Sequence, residues 1–194
     1  KVERLILALP PSPLRLQAAV CALRRGGVIG CPTEAVWGLS CDPDNEGAVV
    51  HLLALKARPV TKGLILVAAT LGQIEFLLSD LSTQQRHTLS GAWPGPVTWL
   101  LPHQGRVPGW ICGEHATVAV RVSDHPVVSA LCAAWGGPLV STSANRAGAR
   151  PALEAFQVRR YFGDGLDYLL PGALGTAGRP TSIRDLISGQ FIRA

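Results

Sequence analysis

Short apolar segments typical of β-strands alternate with segments of helical periodicity along most of this chain. Ser12 and Pro13 predict the start of a first helix, which ends before Gly26 and Gly27, and residues 28–31 then form a short buried strand. Pro, Gly or a charged residue interrupts every apolar run before the ~18–20 residues that a membrane-spanning helix needs. The alternation predicts an α/β fold, a single twisted mixed sheet with flanking helices.

Further helix and strand boundaries follow from the same signals. A second helix begins near Asn45 and ends before Pro59, because the residue before a proline avoids the helical region. Strands are predicted at residues 64–69, 97–101, 117–122 and 138–141, and a hairpin at 182–193. Three helix caps are expected, at Thr70 with Gln73, at Ser82 with Gln85, and at Asp124.

Composition places the chain among globular proteins with an anionic partner. Of 194 residues 47% are hydrophobic and 16% charged, which is enough apolar material to fold without a partner. We expect one domain over residues 1–194, with residues 1–12 as a loose extension. The net charge of +5 favours nucleotides or RNA as partners.

The five cysteines carry no paired spacing. None lies in a C-x-x-C motif, which argues against a disulfide framework or a zinc site. This usage and the lack of a secretory signal pattern predict a cytoplasmic protein.

Lys56, Arg58 and Lys62 form the sharpest charged motif. They lie within seven residues that contain no carboxylate, at the predicted end of a helix and the loop that follows. Their mutual repulsion would be relieved by an anion such as a phosphate chain. Favourable interaction with the carbonyl end of the helix is an equally good explanation at this point.

Two polar segments follow predicted strands. Residues 141–145 (Ser-Thr-Ser-Ala-Asn) could surround an anion or a sugar with hydroxyl and amide groups, and Thr33 ends another strand. The same residue types also form ordinary turns through local hydrogen bonds, and that interpretation stays open.

Arg121 lies on the strand face opposite Val118, Val120 and Val122. A buried charge needs either a cleft or a partner, and Glu34 or Asp42 could supply a salt bridge. The functional hypothesis requires that Arg121 and the cationic motif gather around one hollow without being neutralised by acids.

Four motifs in order, residues 32–39, 56–64, 119–122 and 141–145, together resemble the YrdC/Sua5 family in its short bacterial form. The resemblance runs from about Pro13 to Arg193 and does not include the extra domain of the longer Sua5 form. Arg146 and Ala147 depart from the family pattern, as does Val67. The resemblance implies a twisted mixed sheet with a basic concave surface. It also implies that L-threonine, bicarbonate and ATP are converted to threonylcarbamoyl-adenylate and pyrophosphate, for the t6A modification of tRNA.

The resemblance also implies roles for individual residues. Lys56, Arg58 and Lys62 would form the catalytic cationic group. The nucleotide would be bound by Arg58, Lys62, Thr117, Ser143, Asn145 and Arg193. The threonine would be bound by Thr33, Arg121, Ser141 and Thr181.

No dedicated metal site is expected, because Mg2+ would arrive on the phosphates of ATP. The expected partners are the three substrates, tRNA or another RNA, and the proteins of t6A modification that receive the adenylate. A different class of function, a non-catalytic RNA-binding protein using the basic concavity, is the alternative. It would spread cations along a groove with aromatic stacking partners, whereas only 6% of residues are aromatic.

Overall fold

A mixed β-sheet organises the part of the chain that the computed structural model describes, residues 9–176 and 181–193. Its nine strands lie in the order β7-β1-β2-β6-β3-β5-β4-β8-β9. The strands are β1 Ile29–Pro32, β2 Trp37–Ser40, β3 Ile65–Ala68, β4 Val97–Pro102, β5 Thr117–Val122, β6 Leu139–Ser143, β7 Tyr168–Leu169, β8 Ser182–Asp185 and β9 Phe191–Arg193. Three strand pairs are parallel and five are antiparallel, so the predicted mixed sheet is confirmed.

Helices flank this sheet on both faces. They are α1 Pro13–Arg24, α2 Glu46–Lys56, α3 Glu75–Leu78, α4 Thr83–Ala92, α5 Gly109–Cys112, α6 Pro126–Trp135 and α7 Ala155–Phe162, with short 3-10 turns at Val60–Lys62, Leu71–Ile74 and Gly163–Gly165. None of the described helices is long and apolar enough to cross a lipid bilayer.

Two apolar clusters hold the layers together. In one, Leu23 of α1 and Leu131 of α6 pack with Ile29 of β1. In the larger one, Leu52 of α2 packs with strand residues such as Val120. All five are at most 1% exposed, and burying a side chain of this size stabilises a fold by about 1.5–3 kcal/mol.

Helix starts show which local signals decided the structure. Pro13 begins α1 as predicted, and Ser82 and Gln85 form the predicted capping box of α4. The cap at Thr70 is wrong, because Gln73 instead accepts from the Ala69 amide at 2.8 Å. The cap at Asp124 is also wrong by one residue, since α6 begins at Pro126 with His125 in the cap position.

The predicted tail hairpin is present as β8 and β9, which pair antiparallel. Strand β2 has no counterpart among the predicted strands. β1 and β2 pair from Ile29 with Ser40 to Pro32 with Trp37, which leaves Thr33 and Glu34 in the turn between them. Residues 1–8 of the expected extension lie outside the described residues.

Candidate active site

A cavity of about 410 Å3 opens at the centre of the sheet, where β3, β5 and β6 meet the turn after β1. Its size falls in the usual range of small-molecule sites, about 300–1,000 Å3. The sequence-predicted residues that line it are Thr33, Arg58, Lys62, Thr117, Arg121, Ser141, Ser143 and Thr181. These eight residues come from distant parts of the chain, and the sheet topology brings them together.

Strand register orders the polar groups along the cavity. Ile65 of β3 pairs with both Ala119 of β5 and Ser141 of β6. Thr117 precedes Ala119 by two residues and Ser143 follows Ser141 by two, so both extend beyond Ile65 toward the same end, whereas Arg121 lies level with Val67. At about 3.3 Å per residue, Thr117 and Arg121 are about 13 Å apart along β5. The cavity thus has two ends.

The first end carries two cations without acidic partners. Arg58 donates from Nη2 to the carbonyl oxygen of Gly63 at 2.9 Å, which holds its guanidinium beside the cavity. Burial lowers the pKa of Arg58. Lys62 is exposed at the end of a 3-10 turn, and among the described residues neither cation forms a salt bridge. This end therefore satisfies the expectation of an unneutralised cationic site.

Gly63 makes this arrangement possible. Its φ of +64° lies in the region that favours glycine, and an added Cβ would come within 3.1 Å of the carbonyl oxygen of Cys112. The chain can therefore turn sharply between Lys62 and β3. The carbonyl that anchors Arg58 belongs to this same residue.

Lys56 does not line the cavity, and its membership of the catalytic cationic group stays a prediction. Its side chain is buried, and Nζ donates to the carbonyl oxygens of Ser143 and Asn145, the latter at 2.9 Å. Burial and the neighbouring charge of Arg58 lower the pKa of Lys56 to about 8. These hydrogen bonds hold the segment after β6 against the end of α2. Lys56 therefore acts as a positioning residue for that segment.

Asn145 is likewise not among the residues that line the cavity, and its predicted contact with a nucleotide stays a prediction. Its Oδ1 accepts from the hydroxyl of Ser143 at 2.6 Å, and its Nδ2 donates to the carbonyls of Arg146 and Ala149. The amide stabilises the turn and orients Ser143. Arg193 lies in β9, and its side chain is outside what the structure describes.

The second end is built around Arg121, which is 5% exposed. Its Nη1 donates to the hydroxyl of Thr181 at 3.0 Å, and its Nε lies 3.3 Å from Oε1 of Glu34. The hydroxyl of Ser123 donates to the same oxygen of Glu34 at 2.6 Å. The expectation that Arg121 lacks an acid partner is therefore wrong, and the alternative of a salt bridge with Glu34 is correct.

Arg121 nevertheless faces the cavity as well as Glu34. The contacts with Thr181 and Glu34 involve Nη1 and Nε of this guanidinium, and Nε lies beside the carboxylate without forming a hydrogen bond. A guanidinium carries five N–H donors, so Arg121 can contact Thr181 and Glu34 and also donate to the carboxylate of a ligand. Thr33 and Ser141, both buried, add hydroxyl groups to the cavity lining.

Glu34 lines the cavity, although the sequence pointed to it only as a possible salt-bridge partner of Arg121. Its position in the Pro-Thr-Glu turn next to Thr33 was the available signal, but the pairing with Arg121 depends on how the assembled sheet brings the turn after β1 close to β5. Among the described residues, no group of three or more His, Cys, Asp or Glu side chains could hold a metal ion. Glu34 is the carboxylate that lines the cavity, and its Oε1 is already engaged.

Comparison with known proteins shows the family of this chain. The Sua5/YciO/YrdC family model, described as telomere recombination, matches residues 21–194. A threonylcarbamoyl-AMP synthase from Pseudomonas aeruginosa is 58% identical over 182 residues, which are 94% of this chain and 98% of that protein. The chain belongs to the Sua5/YciO/YrdC family.

Solved structures agree with the fold. P. abyssi Sua5 complexed with L-threonine has a TM-score of 0.82 and 30% identity, over 89% of this chain and 51% of that one. The chain thus spans about half of that Sua5 protein. E. coli YciO has a TM-score of 0.84 over 97% of this chain and 92% of that one, and at 24% identity this likeness concerns the fold alone. The family resemblance, the fold class and the predicted enzyme function are confirmed by these comparisons.

Proposed function

We propose that the cavity joins L-threonine, bicarbonate and ATP into threonylcarbamoyl-AMP with release of pyrophosphate. The observation that carries this proposal is the pairing of two chemically different ends in one cavity. Unneutralised cations lie at one end and a buried arginine fork at the other. The name of the 58% identical relative supports the same reaction.

The cationic end suits the triphosphate. Arg58 and Lys62 supply positive charge, and the hydroxyl residues Thr117 and Ser143 line the same cavity. Phosphate oxygens would relieve the repulsion between the two cations and offset the burial of Arg58. Apolar lining residues such as Ile111 and Leu64 leave room for the base.

The arginine end suits the amino acid. Arg121 would donate to the threonine carboxylate, with Thr33, Ser141 and Thr181 around it. Ser141 lies level with Ala119, between the two ends, so a group extending from the amino acid toward the phosphates passes it.

The chemistry needs orientation more than a covalent nucleophile. The threonine ammonium and bicarbonate combine to a carbamate, with loss of one water and one proton. A carbamate oxygen then attacks the α-phosphorus, the bond from that phosphorus to the bridging oxygen breaks, and pyrophosphate leaves. Holding the reactants side by side and balancing the negative charge are the main contributions expected of such a site. Mg2+, carried by the phosphates, would supply further charge without protein carboxylates.

The product is proposed to feed the threonylcarbamoyl modification of tRNA through the proteins that accept the adenylate. We place the reaction in the cytoplasm, where ATP is available, and the unpaired state of all five cysteines supports this.

Pyrophosphate release tests the proposal. Purified protein is mixed with ATP, Mg2+, L-threonine and bicarbonate, and pyrophosphate is measured with and without threonine. We expect release that requires both threonine and bicarbonate. Release that does not require threonine, or its absence from folded protein, would contradict the proposal.

RNA contact is a second function that one surface feature favours. Helix α7 exposes Phe156, Arg159 and Arg160, which share a face through their spacing of three and four residues. Cations beside an exposed aromatic ring can hold phosphates and stack on an unpaired base. A filter-binding titration with tRNA should lose affinity in the double variant Phe156→Ala/Arg160→Ala and weaken as salt rises. If neither the double variant nor added salt changes the affinity for tRNA, this surface does not bind tRNA.

A further inference from the structure

Glu34 is a buried carboxylate inside a cavity that otherwise suits anions. It is 5% exposed, and it lines the cavity between Thr33 and Ala35. Oε1 accepts from Ser123 and lies beside Nε of Arg121, whereas Oε2 is buried and has no hydrogen-bond partner. An unsatisfied buried carboxylate oxygen is costly, and it requires an explanation.

The backbone around Gly175 packs against the turn that carries Glu34. Gly175 lies directly on the turn, where an added Cβ would come 2.7 Å from the carbonyl oxygen of Glu34. The amide of Gly175 donates to the carbonyl of Thr33 at 2.9 Å. The segment at residues 171–176 thus covers Glu34, and in such a dry site each charge acts strongly on its neighbours.

The carboxylate is electrostatically unfavourable for every anionic part of the proposed substrates. It repels a phosphate, a bicarbonate and a bare carboxylate alike, and it cancels much of the positive charge of Arg121. The ion pair of Glu34 and Arg121 has little net charge. It therefore recognises a ligand by the positions of its two opposite charges. The ligand that matches both charges is a zwitterion, with a carboxylate for the arginine and an ammonium for the glutamate.

We propose that Glu34 is a specificity-determining and positioning residue, which forms an ion pair with the Arg121 guanidinium and restricts this end of the cavity to ligands that carry an ammonium group. The inference rests on the proposed function, and it adds a reason why ATP and the amino acid do not exchange places. Polyphosphate is attracted to Arg58 and Lys62 and repelled by Glu34. Of the substrates, only the amino acid carries both a carboxylate for Arg121 and an ammonium for Glu34.

The same charge favours the forward reaction. Carbamate formation converts the ammonium of threonine into an anionic group. Glu34 then repels this group, and the unneutralised cations Arg58 and Lys62 at the other end attract it.

The test compares threonine with its analogue without the amino group, 3-hydroxybutyrate. Wild-type protein and the variant Glu34→Gln are assayed for threonine-dependent pyrophosphate release, with 3-hydroxybutyrate as competitor. We expect wild type to bind the analogue at least 10-fold more weakly than threonine. In Glu34→Gln this discrimination should shrink by roughly 10- to 100-fold, since a charge-assisted contact is worth about 1.5–3 kcal/mol. The KM for ATP should stay within about twofold, since Arg58 and Lys62 are unaltered.

Two further variants separate charge from structure. Glu34→Asp keeps the negative charge and should keep the rejection of 3-hydroxybutyrate, even where its shorter side chain raises the threonine KM. Glu114→Gln removes one exposed negative charge outside the cavity lining and should behave as wild type. The proposal is overturned if Glu34→Gln retains full discrimination, if Glu34→Asp loses it as Gln does, or if the KM values for ATP and threonine rise together.

Calorimetric binding keeps this test separate from that of the reaction. If wild type releases no threonine-dependent pyrophosphate, the proposed function fails. Titration of threonine and of 3-hydroxybutyrate into wild type and Glu34→Gln still measures the discrimination directly. Equal affinities of wild type for the two ligands would refute the role of Glu34.

Discussion

Lys56 donates a hydrogen bond from Nζ to the carbonyl oxygen of Asn145, 89 residues later in the chain, at 2.9 Å. A second bond runs from the same ammonium to the carbonyl of Ser143. The end of α2 and the turn after β6 are therefore one structural unit. Arg58 follows Lys56 by two residues. Arg58 and Ser143 line the cavity from the two sides of this unit.

Replacing Lys56 by Met should change how stability depends on pH. The folded protein holds this pKa near 8, below its ordinary value of 10.5, so between these pH values the unfolded chain binds more protons than the native state. The unfolding free energy of wild type relative to Lys56→Met should therefore rise with pH across this window, by up to about 3 kcal/mol. Urea unfolding of both proteins at pH 7.5 to 10.5 measures this difference. The buried thiols titrate alike in the two proteins, so their contribution cancels. A flat difference would show that Lys56 titrates normally.

Lys62→Ala should separate ATP binding from stability. Lys62 is exposed and forms no salt bridge within the described residues, so the unfolding free energy should change by no more than about 0.5 kcal/mol. Loss of a charge-assisted contact to phosphate should raise the KM for ATP roughly 10- to 100-fold. Arg24→Ala is the matched control, because it removes an exposed cation of α1 outside the cavity lining. A large fall in Tm with an unchanged KM for ATP would make Lys62 structural instead.

Arg121→Lys should weaken threonine selectively. An ammonium cannot contact Glu34 and Thr181 and still present two parallel N–H groups to a carboxylate. The KM for threonine should rise by about 10-fold or more, as expected from losing one charge-assisted hydrogen bond. The KM for ATP, measured at saturating threonine, should stay within about twofold because Arg58 and Lys62 are unaltered. An equal rise in the KM values for threonine and ATP would show that Arg121 does not act at the threonine end.

Gly175→Ala tests the cover over Glu34. The new Cβ would lie 2.7 Å from the carbonyl oxygen of Glu34, so the backbone at residues 171–176 must shift. We expect a loss of about 1–3 kcal/mol in unfolding free energy, as for other overpacked sites, and a raised KM for threonine. Gly91→Ala serves as the control, since an added Cβ there meets nothing within 4 Å and lies in α4. That substitution should stabilise by about 0.5–1 kcal/mol. Full stability and activity of Gly175→Ala would mean that the cover is not closely packed.

Local signals predicted the elements whose ends are set by nearby residues. The capping box of Ser82 and Gln85 needs only four residues of sequence, and Pro13 fixes the start of α1 by itself. The alternation along β5 was sufficient to place Arg121 on the face opposite the valines, because strand period is independent of the rest of the fold.

Long-range contacts account for what the sequence could not predict. From the sequence alone, the Lys56 side chain could equally have pointed toward the cavity. Its direction depends on carbonyl groups at and after the end of β6, which are distant in the chain. The pairing of Glu34 with Arg121 requires the turn after β1 to meet the end of β5, which only the assembled sheet determines.

The most direct measurement of the central claim, that one cavity joins the three substrates, is mass spectrometry of the product made with 13C-labelled bicarbonate. Wild-type protein with ATP and L-threonine should yield a threonine–carbonyl–AMP adduct heavier by one mass unit than the unlabelled product, and one pyrophosphate for each adduct. Lys62→Ala and Arg121→Lys should form it slowly at low ATP and at low threonine, respectively. Cleavage of ATP without a labelled adduct, or label in a product that lacks threonine, would contradict the account.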